Sequence, residues 1–565
     1  MLLNPNHLQR HYPDRRSGEI MAATVDFFES RGKARLKSDD HNRVWYSDFL
    51  EHVGRERLFA SLLTPAKYGA SETEACRWDT YRISEFAEIL GFYGLSYWYP
   101  FQVTALGLGP IWMSGNEEAK RKAAAQLEAG EVFAFGLSEQ AHGADVYQTD
   151  MILTPAADGG WTAEGEKYYI GNANVARMVS TFGKIAGTPE ENQEYVFFAA
   201  DSQHGRFDLI KNVVNSQNYV ANFALRDYPV GEADILHRGP EAFHAALNTV
   251  NVCKYNLGWG AIGMCTHAMY EAVTHASNRC LYGTVVTDFA HVRRLLTDAY
   301  VRLAAMKLVA TRACDYMRSA SAEDRRYLLY SPLTKAKITS EGERVITGLW
   351  DVIAAKGVEK DTIFEAMTRE IGLLPRLEGT VHINVGLLGK FMPNFLFAPG
   401  SDLPLIGRRD DAADDTFLFA QGPTGGLGKV RFHDWRAPFE SFAHLPNVAL
   451  LREQVDVLAE MLASATPDAA QQKDIDFAFA VGQLFATVPY AQLILEEAGQ
   501  SQPKPAPGAA LPAPSPAPGT APGTAPGTAP GTGAGAPAAP PAATDTAQTP
   551  AQRAAPPAAP AQTPK

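Results

Sequence analysis

Glu131-Val132-Phe133-Ala134-Phe135-Gly136-Leu137-Ser138-Glu139-Gln140-Ala141-His142-Gly143-Ala144-Asp145 opens a stretch that closes on Gly165-Glu166-Lys167-Tyr168-Tyr169-Ile170-Gly171-Asn172. Between these ends the residues alternate as strands do, in a chain that elsewhere carries helical periodicity. The first segment sets small residues and one hydroxyl, Ser138, beside a turn. The second puts Tyr168 and Tyr169 at a strand end. Together they suit a flat heteroaromatic ligand: backbone and hydroxyl groups bond its polar edge, and an aromatic wall covers one face.

Outward from this stretch the chain divides by pattern. Residues 1–130 read as an N-terminal helical domain, with Phe86, Ile89, Leu90 and Tyr93 at helical spacing. Residues 131–236 read as a small β-sandwich or barrel, with Tyr195–Ala200 as a buried strand. Residues 237–395 read as a helical bundle: one long helix over Glu241–Arg279, a second over Phe289–Ser319, a third capped at Ser331-Pro332 and a short fourth from Thr380. The expected class is therefore α+β. Residues 396–500 read as a helical extension, in which Leu451, Val455, Leu458 and Leu462 form an apolar stripe. Residues 501–565 are rich in Pro, Ala, Gly and Thr, with four Ala-Pro-Gly-Thr units over Ala517–Thr532. That composition cannot bury a core and reads as a disordered tail.

The formal net charge of -12 argues against nucleic acid as the main partner. Five cysteines without a Cys-x-x-Cys pair suggest reduced thiols in a cytoplasmic setting. The uncharged run Phe477–Leu495 has the length of a membrane span. Gln483, Thr487, Pro489 and Gln492 within it favour a buried or surface-seated helix and no span. The histidines show no metal-ligand cluster, and no metal is expected. Gly422-Pro423-Thr424-Gly425-Gly426-Leu427-Gly428-Lys429-Val430 looks like a phosphate loop, but that motif requires glycine at Pro423 and a hydroxyl at Val430.

Glu378, in Leu377-Glu378-Gly379-Thr380, is the sharpest catalytic candidate. A carboxylate near the apolar run Ile371–Leu374 is desolvated, its pKa rises, and it becomes a better base near neutral pH. Read alone, the same residue is also an exposed loop glutamate. Gly379 permits a tight turn and Thr380 can cap the following helix.

These motifs carry a resemblance. Gly136–Asp145 is similar to Ala-Leu-Thr-Glu-Pro-Gly-Ala-Gly-Ser-Asp of the acyl-CoA dehydrogenase family, and Gly165–Asn172 to its Gly-x-Lys-x-Trp-Ile-Thr-Asn. Arg369-Glu370, seven residues, then Glu378-Gly379-Thr380 resembles the family's Arg-Asp, seven residues, Glu-Gly-Thr. Arg279-Cys280-Leu281-Tyr282-Gly283 resembles its Arg-x-x-Phe-Gly. The match runs from about residue 60 to 390. It implies FAD held by Leu137, Ser138, Gly143, Tyr169, Ile170, Gly171, Arg279, Tyr282 and Thr380, and acyl-CoA met by Ala144, Lys254 and Gly379. Glu378 is implied as the base that removes the α-proton while hydride leaves the β-carbon for the flavin. Some members take the base from the long helix, where Cys253-Lys254 offers no carboxylate here.

The resemblance also implies an electron-transfer flavoprotein as acceptor and a homodimer or homotetramer, with Arg279 reaching a neighbour's FAD. The sequence departs from the family at Gly171 (threonine that bonds flavin N5), Tyr169 (tryptophan), Ala144 (serine), Lys254 (arginine), Ala290 (glutamine) and Ala354-Ala355-Lys356-Gly357 (Gly-Gly-x-Gly). His142-Gly143 and Gly171 are also similar to acyl-CoA oxidases. An oxidase using O2, and a catalytically silent acyl-CoA-binding homologue, therefore stand beside the dehydrogenase reading.

Overall fold

The computed structural model describes residues 2–500 apart from 9–11, 71–74, 158, 190–192, 401 and 466. The Ala-Pro-Gly-Thr tail lies outside the described residues. Six helices come first: α1 (Arg15–His41), α2 (Ser47–Arg55), α3 (Leu58–Leu63), α4 (Thr80–Tyr93), α5 (Leu95–Met113) and α6 (Glu117–Glu128). Asp79 and Asn116 cap α4 and α6, each accepting a backbone N–H through its side chain.

Eight strands follow: β1 (Phe133–Gly136), β2 (Ile152–Pro155), β3 (Trp161–Gly171), β4 (Met178–Ile185), β5 (Tyr195–Ala200), β6 (Phe207–Asn212), β7 (Val220–Val230) and β8 (Ile235–Arg238). They form one sheet in the order β6-β7-β3-β2-β4-β5-β8, with β1 parallel to β4. Phe207 on β6 and Ile235 on β8, at opposite ends of that order, share a core with Met151, Val179, Phe198 and Phe223. The sheet is therefore curled around its own interior.

Helices then return: α7 (Pro240–Cys253), α8 (Asn256–Ser277), the hairpin β9 (Cys280–Leu281) and β10 (Thr284–Val285), α9 (Ala290–Arg318), α10 (Tyr327–Leu333), α11 (Thr339–Ile353), α12 (Ile363–Glu370), α13 (Val381–Gly389) and α14 (Met392–Phe397). Two expectations are corrected. The helix read over Glu241–Arg279 is two, because the Leu257 and Gly258 N–H groups reach back only three residues, to Lys254 and Tyr255, and tighten the join. Ser331 is no cap, since α10 already starts at Tyr327 and the Ser331 hydroxyl donates to Asn251 O. Pro332, which has no N–H, sits inside α10 and is followed by a π-helical turn, Thr334–Ile338. Thr380 does cap α13.

Helices α4 and α8 cross almost backbone to backbone. A Cβ on Gly91 would stand 2.4 Å from Gly260 O, and one on Gly263 would stand 2.1 Å from Glu88 O. The last elements are α15 (Arg436–Ser441), α16 (Pro446–Ser464) and α17 (Ile475–Gln500). The extension is stitched into the rest. Asp414 accepts the Trp78 and Ala66 N–H groups at 2.8 and 3.0 Å, and Asp415 accepts that of Thr80 at 2.7 Å. Helix α17 is long and apolar enough to cross a membrane by length and composition. Here Glu496 is buried on it, bonded by Arg312 at 2.7 Å, His433 at 2.8 Å and Tyr316 at 2.9 Å. All five cysteines are free, and only Cys280 is exposed.

Two substitutions test this packing with opposite signs. Gly263→Ala forces a methyl into the Glu88 carbonyl and is expected to lower unfolding free energy by about 1–3 kcal/mol or more. Ala354, at φ +58° where side chains rarely sit, is strained, and Ala354→Gly is expected to gain about 1 kcal/mol. Denaturant melts of the holoprotein check both.

Candidate active site

Helix α5 is the spine of the site. Its sequence is almost wholly apolar, and Gln102 and Thr104 are buried within it. Pro100 lacks the N–H that would bond Ser96 O, and the Asn218 side chain donates to that carbonyl instead, at 2.9 Å. Asn172, next to the end of β3, donates to Pro100 O at 3.1 Å and Phe133 O at 3.0 Å. The β domain is thereby fastened to the helix where proline has loosened it. The start of α5 is held from the bundle: Glu370 accepts the Leu95 N–H at 3.2 Å, and Arg369 bridges Glu370 to Asp40. The Arg-Glu pair thus acts as a long-range cap.

Glu378 meets the same helix two turns on. Gln102 Nε2 donates to Glu378 Oε1 at 2.6 Å and to Cys253 O at 3.1 Å. Glu378 Oε2 is shielded from solvent and has no partner among the described residues. Burial pushes this carboxyl up to about 7, while the Gln102 hydrogen bond and the charges of Lys254 and Lys335 hold it from rising further. Glu378 and Gly379 lie at φ +52° and +82°, and an L-residue in that region is strained. The Glu378 N–H has no acceptor among the described residues.

Two buried cations hold that turn. Lys335, 0% exposed, sits in the π-helical turn and donates to Pro375 O at 2.7 Å and to Gly379 O, on either side of Glu378. Lys254 donates to Asn384 Oδ1 at 3.1 Å, and Asn384 in turn donates to Gly379 O at 3.1 Å and Thr380 O at 3.0 Å. Desolvation lowers Lys335 to about 7 and Lys254 to about 8, each opposed by the charge of Glu378. Lys254, expected at the substrate, spends its hydrogen bond on the loop that carries Glu378.

On the sheet side, Ser138 Oγ donates to Tyr168 O at 2.7 Å, and Tyr168 N–H returns a bond to Ser138 O at 2.9 Å. The two motifs therefore lie edge to edge. Tyr169, at φ +65° and 62% exposed, presents its ring outward, and Ile170 turns into the sheet's core. Gly143 and Ala144 are exposed, and a Cβ on Gly143 would meet nothing within 4 Å. Gly171 is buried. Glu139, His142 and Asp150 place ligand atoms within 4.8 Å of one another, a grouping the sequence did not reveal. Lys167 already supplies the cation there, 2.6 Å from Glu139.

Arg279 and Tyr282 are placed apart from these residues, on the β9–β10 hairpin. Arg279 is exposed beside His275, and Tyr282 is 97% exposed at φ +54°. Thr380 is exposed after Glu378. A concavity of about 460 Å³ lined by Lys67, Tyr68, Glu117, Arg121 and Glu128 includes none of the site residues, and its mixed charges offer no acid–base pair at Glu378. Reading the sequence missed Gln102, Lys335 and Asn384. Gln102 carried a signal, being an amide inside an apolar helix, which must find a partner when buried. Lys335 carried none, since Lys337 two residues later reads alike yet lies over the Tyr490 ring.

The residues fit a flavin. Leu137 and Ser138 are half-buried beside the exposed Tyr169 ring, and Glu378 Oε2 and its backbone N–H have no partner among the described residues, which leaves both able to bond a ligand. The family model for the acyl-CoA dehydrogenase C-terminal domain matches residues 242–392. The short-chain specific acyl-CoA dehydrogenase of Megasphaera elsdenii is 22% identical over 378 residues, 66% of this chain and 96% of that relative. An acyl-CoA dehydrogenase of Bacillus subtilis is 24% identical over 297 residues, 51% of this chain and 76% of that one. Among solved structures, butyryl-CoA dehydrogenase from Megasphaera elsdenii has TM-score 0.61 at 20% identity, covering 67% of this chain and 99% of its own. Acyl-CoA dehydrogenase complexed with FAD from Bacillus anthracis has TM-score 0.69 at 16% identity, covering 89% and 85%. That wider coverage takes in the extension.

Because its cation lowers the carboxyl's affinity for a proton, Lys335→Gln is expected to raise the pH at which Glu378 ionises above about 7. An infrared titration of the carboxyl C=O band, assigned by Glu378→Gln, checks it. An unmoved midpoint would contradict the clamp.

Proposed function

The chain belongs to the acyl-CoA dehydrogenase family, and from that premise we propose that it dehydrogenates the α,β bond of an acyl-CoA thioester with Glu378 as base. It is an oxidoreductase with FAD as its cofactor. The observation that carries the reading is Glu378: one carboxylate oxygen is fixed by Gln102, and the other is buried and unpartnered.

Bound FAD supplies the hydride acceptor for the β-carbon. Glu378 Oε2 takes the α-proton, because Oε1 is already committed to Gln102. The strained turn aims the carboxylate, and Lys335, Asn384 and Lys254 keep it from relaxing. In this reading the Glu378 N–H donates to the thioester oxygen as negative charge develops there, a bond that can contribute on the order of 3 kcal/mol. It also acidifies the α-proton, without which a carboxylate could not remove it. The product is a trans-2-enoyl-CoA. Relatives that include short-chain and very long-chain specific enzymes support a fatty acyl substrate as the proposed class.

Tyr169 and Ser138 form a wall and edge for the flavin, and the protruding Arg279–Tyr282 hairpin reaches a second subunit's cofactor, so the working unit is at least a homodimer. An electron-transfer flavoprotein is the proposed acceptor. Gly171, which puts no side chain beside the flavin, keeps direct reaction with O2 as the second reading.

Anaerobic addition of acyl-CoA is expected to bleach the flavin of the holoenzyme, with a rate that rises with pH through about 7 as Glu378 loses its proton. Glu378→Gln should keep FAD and slow bleaching by about 10²–10⁴. A variant that bleaches at the wild-type rate removes Glu378 as base. Rapid, stoichiometric peroxide on admitting air would select the oxidase; slow reoxidation selects the dehydrogenase.

A further inference from the structure

The buried position at the end of β3 is filled from another element. A Cβ built on Gly171 would lie 2.5 Å from Tyr99 Cε1, 2.9 Å from the Tyr99 hydroxyl oxygen and 2.9 Å from Val103 Cγ2. Tyr99 thus takes the volume that a side chain at 171 would enter, and brings a hydroxyl into it. On α5, Tyr99 stands one turn before Gln102, so its ring neighbours the amide that binds Glu378. Its phenol is also within reach of the Glu378 charge, which together with burial holds it in the protonated, donating form. A single side chain therefore links the flavin wall on the sheet to the base on the bundle.

The other tyrosines around it are occupied. Tyr46 Oη accepts from Asn218 at 3.1 Å, Tyr93 donates to Glu29 at 2.6 Å, and Tyr97 packs its ring against Phe28 and Phe49. Tyr99 makes no hydrogen bond among the described residues. Tyr99 is half-buried, so its unbonded phenol is open to a partner that this chain does not itself supply. Position 171 could not hold a larger residue while Tyr99 is present, because the ring carbon would lie well inside contact distance.

We propose that Tyr99 is a cofactor-contacting residue that donates its phenol hydrogen to the reacting edge of the flavin, the donor having moved from strand β3 to helix α5. This rests on the placement of FAD against Tyr169 and Gly171 given above. A donor at that edge favours the reduced, electron-rich ring, so it sets the reduction potential and not only the shape of the pocket.

The test is a dye-equilibrium titration of full-length holoenzyme without substrate. Tyr99→Phe keeps the ring and removes the donor. FAD is expected to stay bound while its reduction equilibrium falls about tenfold, ~30 mV for a two-electron couple, with a shifted visible band. An unchanged potential and spectrum would overturn the proposal. The exchange Tyr99→Ala with Gly171→Thr returns a hydroxyl from the strand into the vacated space and is expected to restore the wild-type potential. A double variant that stays at the Tyr99→Phe value would also overturn it. Neither readout uses acyl-CoA, so a shifted potential in an enzyme that no thioester bleaches would keep Tyr99 and reject only the substrate reading.

Discussion

Two carboxylates from one short segment grip one helix. Glu370 takes the first N–H of α5, and Glu378 takes the amide of Gln102 seven residues along, roughly 10 Å up the axis. The spacing between the glutamates is thus read against a helical ruler. Pro100 lies between those two points, and there the sheet fastens itself through Asn172 and Asn218. The proposed base, the proposed flavin wall and the helix between them are therefore indexed to the same few turns. A shift of α5 by one residue would misplace all of them at once, and misplacement of about 1 Å can cost on the order of 10² in rate.

Electrostatics then suits Glu378 to the proposed role of base. A fully desolvated carboxylate would hold its proton too tightly to act near neutrality, and one open to water would be too weak. Glu378 lies between these limits because burial works against an amide and two cations. Neither lysine bonds the carboxylate directly. Both are spent on the carbonyls and amide of its turn, so they stabilise the strained backbone and bias the charge together. The π-helical turn after Pro332 is what puts Lys335 there, widening the helix so that one lysine of a near-repeat faces inward.

Much of this was legible in the residues. The helical, β, helical order followed from periodicity, and Glu378 was singled out as the proposed base by its motif. Thr380 followed from capping chemistry. Less legible was anything that depends on contacts between distant segments. Gln102 and Glu378 are 276 residues apart, and Tyr99 fills Gly171 across 72. Glycine at 171 reads in sequence as a lost group, and only packing reveals what occupies its place. The split of the long helix at Lys254 and the π turn were also hidden, since both use ordinary helical dihedrals and differ only in which carbonyl each N–H reaches. The extension read as an appendage because its anchors, Asp414, Asp415 and Glu496, are charges whose partners lie far back in the chain.

The most direct measurement of the central claim is the rate of flavin bleaching on anaerobic mixing with an acyl-CoA deuterated at the α-carbon, across a series of chain lengths. If Glu378 removes that proton as hydride leaves, deuterium slows the bleaching at the preferred chain length. A flavin that no thioester reduces, or one reduced at the same rate with either isotope when the chemical step is rate-limiting, would contradict it.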